Sequence, residues 1–101
     1  MSNRYSWRET KRRANLVKHG LDFMDTDLVL ESPYRMEIES PRVKGKRMQV
    51  FAYVFEVLAV LTVVYLPGMD IEPQHIISFR HAQRDEREIY HDWLENDYDD
   101  A

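Results

Sequence analysis

Apolar residues recur at helical intervals from Trp7 to Leu21. With each residue advancing about 100°, Trp7, Thr10, Ala14, Val17 and Leu21 fall on one side of a helix, and that side is expected to face the core. The helix is predicted to start near Ser6 or Trp7 and to end near His19. Gly20 then serves as a left-handed C-terminal cap, and Lys18 and His19 suit the negative end of the helix dipole. A second, polar stripe runs beside the first: Arg8, Arg12, Asn15 and His19, with Lys11 at its edge. Leu16 belongs to neither stripe. Asn15 is expected to tie the helix to the loop that follows.

Leu21–Pro33 reads as a short helix or turn ending at Ser32-Pro33, anchored by Phe23, Leu28 and Leu30. The next stretch is polar and broken by Pro41 and Gly45, which predicts an edge strand and a loop. Val50–Leu66 is apolar over nearly its whole length, close to what a membrane-spanning helix needs. Glu56 in its middle and its wealth of valines and aromatics favour two strands instead, about 47–55 and 57–66, turning around Glu56. Pro67–Asp70 signals a turn. A third strand follows over about 71–79, with Pro73 near its start. Strict alternation along it would put His75, Ile77 and Phe79 on one side and Ile76, Ser78 and Arg80 on the other. The last helix is predicted over 84–96, with Ile89, Tyr90, Trp93 and Leu94 as its apolar face. Either Asp85 with Glu88 or Gln83 with Glu86 could form its capping box. Residues 97–101 read as a frayed acidic tail.

Short connections between consecutive strands predict an antiparallel sheet. The expected architecture is one α+β domain over residues 1–101, with helices before and after a central antiparallel β-sheet.

Composition sharpens this picture in two ways. The chain has no cysteine, which excludes disulfides and thiolate chemistry and makes the cytoplasm the expected compartment; its polar N-terminus lacks the apolar stretch of a signal peptide. Its formal net charge of -4 conceals two poles. Residues 1–20 carry four Arg and two Lys against Glu9 alone, whereas residues 85–101 carry eight carboxylates against Arg87 alone. A basic pole suits a polyanion or an acidic partner, although solvated surface would read the same way.

There is no phosphate-binding glycine loop and no paired-histidine spacing, so neither a cofactor nor a metal site is expected. What remains is a set of cations around histidines. Arg80 emerges where the third strand gives way to the last helix, a place suited equally to a phosphate and to a salt bridge with that acidic helix.

Two ordered motifs carry a resemblance to a known family. Trp7-x-x-x-Lys11-x-x-x-Asn15-x-x-Lys18-His19-Gly20 followed by Leu21-x-Phe23 resembles the N-terminal signature of the BrnT toxins. His75-Ile-Ile-Ser-Phe-Arg-His-Ala82, then Glu86-Arg87 and Tyr90, resembles that family's Arg-Ile-Ile-Ser-Ala-Arg segment and final helix. The likeness spans about residues 7–94. Arg8 stands where the family has an acidic residue, His75 where it has the first arginine and Gln83 where it has a capping threonine. The hairpin glycine near Glu56 is missing.

The resemblance implies a RelE-like fold and a ribonuclease toxin that stops translation. It also implies a cognate BrnA-like antitoxin, through which alone DNA is contacted. On this reading the 2′-hydroxyl of RNA attacks the adjacent phosphorus and the 5′-oxygen leaves, which requires a proton acceptor, a proton donor and cations but no metal. Arg80 is assigned to the phosphate and His19 to proton transfer, with His75 as a second candidate for that role. Lys11, Lys18 and Arg47 are assigned to the RNA backbone. The rival readings are an inactive toxin-fold protein that binds protein or RNA, and a membrane protein built on Val50–Leu66.

Overall fold

A computed structural model describes residues 5–39, 47–67 and 74–96. The strands are β1 (Tyr5–Ser6), β2 (Met36–Glu39), β3 (Met48–Val54), β4 (Ala59–Leu66) and β5 (Gln74–His81). The helices are α1 (Glu9–His19), α2 (Asp27–Leu30), which follows a 3-10 turn at Phe23–Asp25, and α3 (Arg84–Asn96). The five strands form one sheet in the order β1-β5-β4-β3-β2. All neighbours are antiparallel except β1 and β5, which run parallel, so the sheet is mixed rather than wholly antiparallel. Tyr5 and Ser6, expected to lead into the first helix, instead pair with Gln74 and His75. The expected turn at Pro67–Asp70, the position of Pro73, the loop around Pro41 and Gly45, and the acidic tail fall wholly or mainly outside the described residues.

Val50–Leu66 forms the β3–β4 hairpin, and no helix among the described residues is long and apolar enough to cross a membrane. Its continuous apolarity has a different cause: both faces of the hairpin are covered. Val50, Ala52, Val54, Leu61, Val63 and Tyr65 pack on one face with Phe23 and Val29, under the N-terminal half of the chain. Phe51 and Val60 pack on the other with Met36, Ala82 and Tyr90, under α3. Tyr90 is fully buried and keeps both roles of its hydroxyl satisfied, accepting from Tyr53 N–H (3.1 Å) and donating to Tyr34 C=O (2.8 Å). Ile89, expected on the same apolar face, is exposed.

The hairpin turns without glycine. Val57 N–H and Leu58 N–H both donate to Val54 C=O, and Leu58 adopts a left-handed backbone with φ of 56°. Such a conformation costs an L-residue roughly 1–2 kcal/mol. Leu58 is exposed and recovers little of that by packing.

The first helix faces the opposite way from its expected orientation. Thr10, Ala14 and Val17, the centre of the apolar stripe, are exposed, Val17 to 89%. The face turned to the sheet is the polar stripe: Asn15 is buried, and Arg12 and His19 are half-buried. The reason is an edge. Beyond Gln74 and His75, β5 has no strand among the described residues on its outer side, and Asn15 fills that place. Its side-chain amide donates to Phe79 C=O (2.7 Å) and Leu21 C=O (3.0 Å), and its carbonyl accepts from Phe79 N–H (3.1 Å). Leaving both backbone groups of Phe79 without a partner would cost about 2–6 kcal/mol, against roughly 2–4 kcal/mol gained by tucking in Ala14 and Val17. Arg12 reinforces this orientation with a two-bond pair to Asp22 (2.8 and 3.0 Å) and a bond to Glu9. Arg12 holds the Asp22 carboxyl below its usual range.

Two stability predictions follow from these contacts, both read by urea unfolding. Asn15→Ala should lower stability by about 3 kcal/mol, because two buried groups of Phe79 lose their partner. Leu58→Gly should raise it by roughly 0.5–1 kcal/mol, by relieving the left-handed leucine.

Candidate functional site

The strand that carries Arg80 does not alternate regularly. Val64 pairs with Ser78 but Tyr65 pairs with Ile76, so one residue of β5 is bulged between them. Ile76 and Phe79, three residues apart, therefore both enter the same core cluster. The bulge also moves His75 onto the face shared by Ser78 and Arg80, where regular alternation would have separated His75 from Arg80. Two apolar residues three apart within a strand, Ile76 and Phe79, were the signal in the sequence for this break in period.

Arg80 is held by α3. Its guanidinium makes a two-bond fork to Glu86, Nη1 to Oε1 at 2.8 Å and Nη2 to Oε2 at 3.0 Å, and Nη1 also donates to His81 C=O (3.2 Å). Glu86 is held in turn by Gln49 Nε2 (3.0 Å) and by the backbone N–H of Gln83 (2.7 Å). Of the two candidate capping pairs it is Gln83 with Glu86 that is joined, through the one bond from the Gln83 N–H to the Glu86 carboxylate. Arg80 depresses the Glu86 pKa, and Glu86 raises that of Arg80. Among the described residues, three hydrogen bonds from the Nη atoms of Arg80 have partners, and its Nε–H and one Nη2 hydrogen have none. A salt bridge from Arg80 to the acidic last helix was one of the two readings the sequence offered for it, and Glu86 provides it; the part played by Gln49 was not evident in the sequence.

His19 closes the C-terminal turn of α1, which packs along β5. Its pKa is lowered, first by burial and then by the positive charges of Lys18, Arg80 and the neighbouring His81. The neutral imidazole is therefore the favoured form near pH 7, and a neutral imidazole accepts a proton. His19 and Arg80 act on each other electrostatically at one end of β5, although they come from elements far apart in sequence.

The other candidates are dispersed. His75 lies at the start of β5, about 16 Å along the strand from Arg80, with Nδ1 3.1 Å from Ser6 Oγ. Arg47 leads into β3 at that same end of the sheet, where Leu66 pairs with His75. Its Nε is buried and has no hydrogen-bond partner among the described residues. Lys18 adjoins His19, and Lys11 lies about 10 Å further up α1; both are exposed. The fold thus makes two groups: His19, Lys18 and Arg80 at the end of β5, and His75 and Arg47 at its start.

The low pKa of His19 has a measurable signature. In an NMR titration its imidazole should titrate below 6.5, and Arg80→Gln should move that midpoint upward by removing a nearby positive charge. Because the folded-state value lies below the unfolded one, His19 contributes stability that is complete above pH 6.5 and is lost as the pH falls through the folded value.

The model of one protein family, ribonuclease toxin, BrnT, of type II toxin-antitoxin system, matches residues 7–86. No curated protein matches the chain.

Proposed function

Since the chain belongs to the BrnT family of type II ribonuclease toxins, we propose that it is an endoribonuclease that cleaves RNA without a metal ion. On this reading it halts translation in the cytoplasm and is neutralised by a BrnA-like antitoxin, with DNA reached only through that antitoxin. We read its α+β fold as RelE-like.

The observation that carries the mechanism is the neutral His19 set against the forked Arg80. His19 accepts the proton of the 2′-hydroxyl. The 2′-oxygen attacks the adjacent phosphorus as the bond to the 5′-oxygen breaks, and a solvent water protonates that oxygen, leaving a 2′,3′-cyclic phosphate and a 5′-hydroxyl; the His19 imidazolium returns its proton to solvent. The Nε–H of Arg80 and its remaining Nη2 hydrogen point charge-assisted donors at the phosphoryl oxygens, where negative charge grows in the transition state. Glu86 keeps the guanidinium plane fixed, so little reorganisation accompanies the reaction. Lys18 and Lys11 hold phosphates along α1.

His75 and Arg47 lie too far along the sheet to share the phosphate bound by Arg80. In this reading they contact the backbone further along the strand of RNA, Arg47 through its positive charge. A protonated His75 would bind phosphate there, and proton transfer at the scissile bond rests on His19.

The test is cleavage of RNA by the purified protein in EDTA. Wild type should retain its rate, and Arg80→Ala and His19→Ala should each lose about two to four orders of magnitude. The rate should rise with pH along a limb whose midpoint lies below 6.5, the ordinary histidine value. Loss of cleavage on chelation would remove the metal-free mechanism. Intact RNA with folded wild type, both alone and with ribosomes, would remove the ribonuclease reading.

A further inference from the structure

The exposed stripe of α1 is a surface without an internal use. Ala14 and Val17 lie in line on its outer side, Leu16 is exposed beside them, and Lys11, Arg13 and Lys18 flank them. An apolar line at helical spacing, bordered by cations and turned to solvent, fits an apolar groove with an acidic rim.

The same chain carries such a groove on its opposite side. Two adjoining hollows, of about 350 and 400 Å3, share Tyr34, Tyr53 and Phe55 as their common wall. Tyr53 and Phe55 meet edge to face at 5.0 Å, and Tyr34 and Phe55 at 6.5 Å, which gives the wall a defined shape. Phe55 is 65% exposed. Among the described residues, the Asp and Glu that line the two hollows are Asp27, Glu31, Glu56 and Glu95, with no Lys or Arg beside them. A carboxylate rim repels RNA and anionic lipid alike and selects a cationic, partly apolar occupant.

The two surfaces cannot meet within one molecule. Helix α1 packs along β5, towards one edge of the sheet, whereas the groove lies against β3 and the segment leading into β2, at the other edge. We infer that they meet between copies: the outer face of α1 of one molecule docks in the acidic aromatic groove of the next. Val17 enters against Phe55 and Tyr34, and the lysines and Arg13 of α1 face the carboxylates of the rim. The contact is head to tail, so each molecule uses a different surface toward each neighbour, and the assembly grows with concentration. It is polar at its rim and therefore weakens with salt. It also covers Lys11 and Lys18, so RNA bound along α1 and a neighbouring copy exclude each other.

A complementation experiment by sedimentation velocity tests this. Val17→Glu spoils only the helix face and Phe55→Lys only the groove; both positions are exposed, so each variant should fold, which circular dichroism verifies. At low salt the weight-average mass of wild type should rise above 12.2 kDa with concentration. A tenfold increase in ionic strength should weaken the association about tenfold or more. Each variant alone should stay monomeric. An equimolar mixture should form one-to-one pairs, because one variant retains the groove and the other the helix face. Wild type that remains monomeric over a hundredfold range of concentration would overturn the inference and leave both surfaces to other occupants. A mixture that associates no better than either variant would overturn it too, since a head-to-tail contact must complement.

Discussion

The bond between Asn15 and Phe79 decides how the N-terminal half of this protein is arranged. A sheet edge presents backbone donors and acceptors that must be satisfied, and among the described residues β1 pairs with Gln74 and His75 alone. One carboxamide, with a donor and an acceptor on the same planar group, takes the place of the next peptide in the missing strand. This contact fixes the rotation of α1, and the rotation has consequences on both sides. Inward, it sets His19 one turn further along, beside the end of β5. Outward, it exposes Ala14 and Val17 and the lysines that flank them. A rule that places apolar residues inside and polar residues outside fails here because a pair of buried hydrogen bonds outweighs the burial of two small apolar side chains.

A second constraint acts within β5. The bulge next to Ile77 lets both Ile76 and Phe79 enter the core while His75, Ser78 and Arg80 keep the other face. Without the extra residue the strand could satisfy its core or its polar face, but not both. The side chain of Arg80 then meets α3 where that helix begins. Glu86 serves as capping partner to Gln83 and as counter-ion to Arg80 at once. The position and orientation of the guanidinium therefore follow from the way the helix starts.

Much of this was legible in the sequence. The limits of α3 follow from its periodicity, and the β3–β4 hairpin follows from its valines and from Glu56. The basic cluster near His19 could also be read directly, whereas Arg80, expected where the third strand ends, lies within β5 and pairs with Thr62. The failures share a physical origin, since each depended on a contact distant in sequence. Ser6 looks like the start of a helix until β5 offers an edge. The apolar stripe of α1 looks like a core face until Asn15 finds Phe79. Strict alternation in β5 looks sound until the core demands Ile76 together with Phe79. In the candidate site, His19 and Arg80 belong to the same end of β5, a proximity that the sequence alone did not establish. The separation of His75 from Arg80 could be measured only once strand and register were known.

The double duty of Glu86 has a genetic consequence. Lys18 projects from the surface and His19 from the end of a helix, so a lineage could lose either with little damage to the fold. Loss of Glu86 would release Arg80, uncap α3 and strand the side chain of Gln49 in one step. Selection for solubility alone would retain Glu86 in a descendant that had abandoned all chemistry. The persistence of the Arg80–Glu86 pair in a relative would thus speak for an intact scaffold, whereas the fate of His19 would be the more sensitive record of whether the site is still in use.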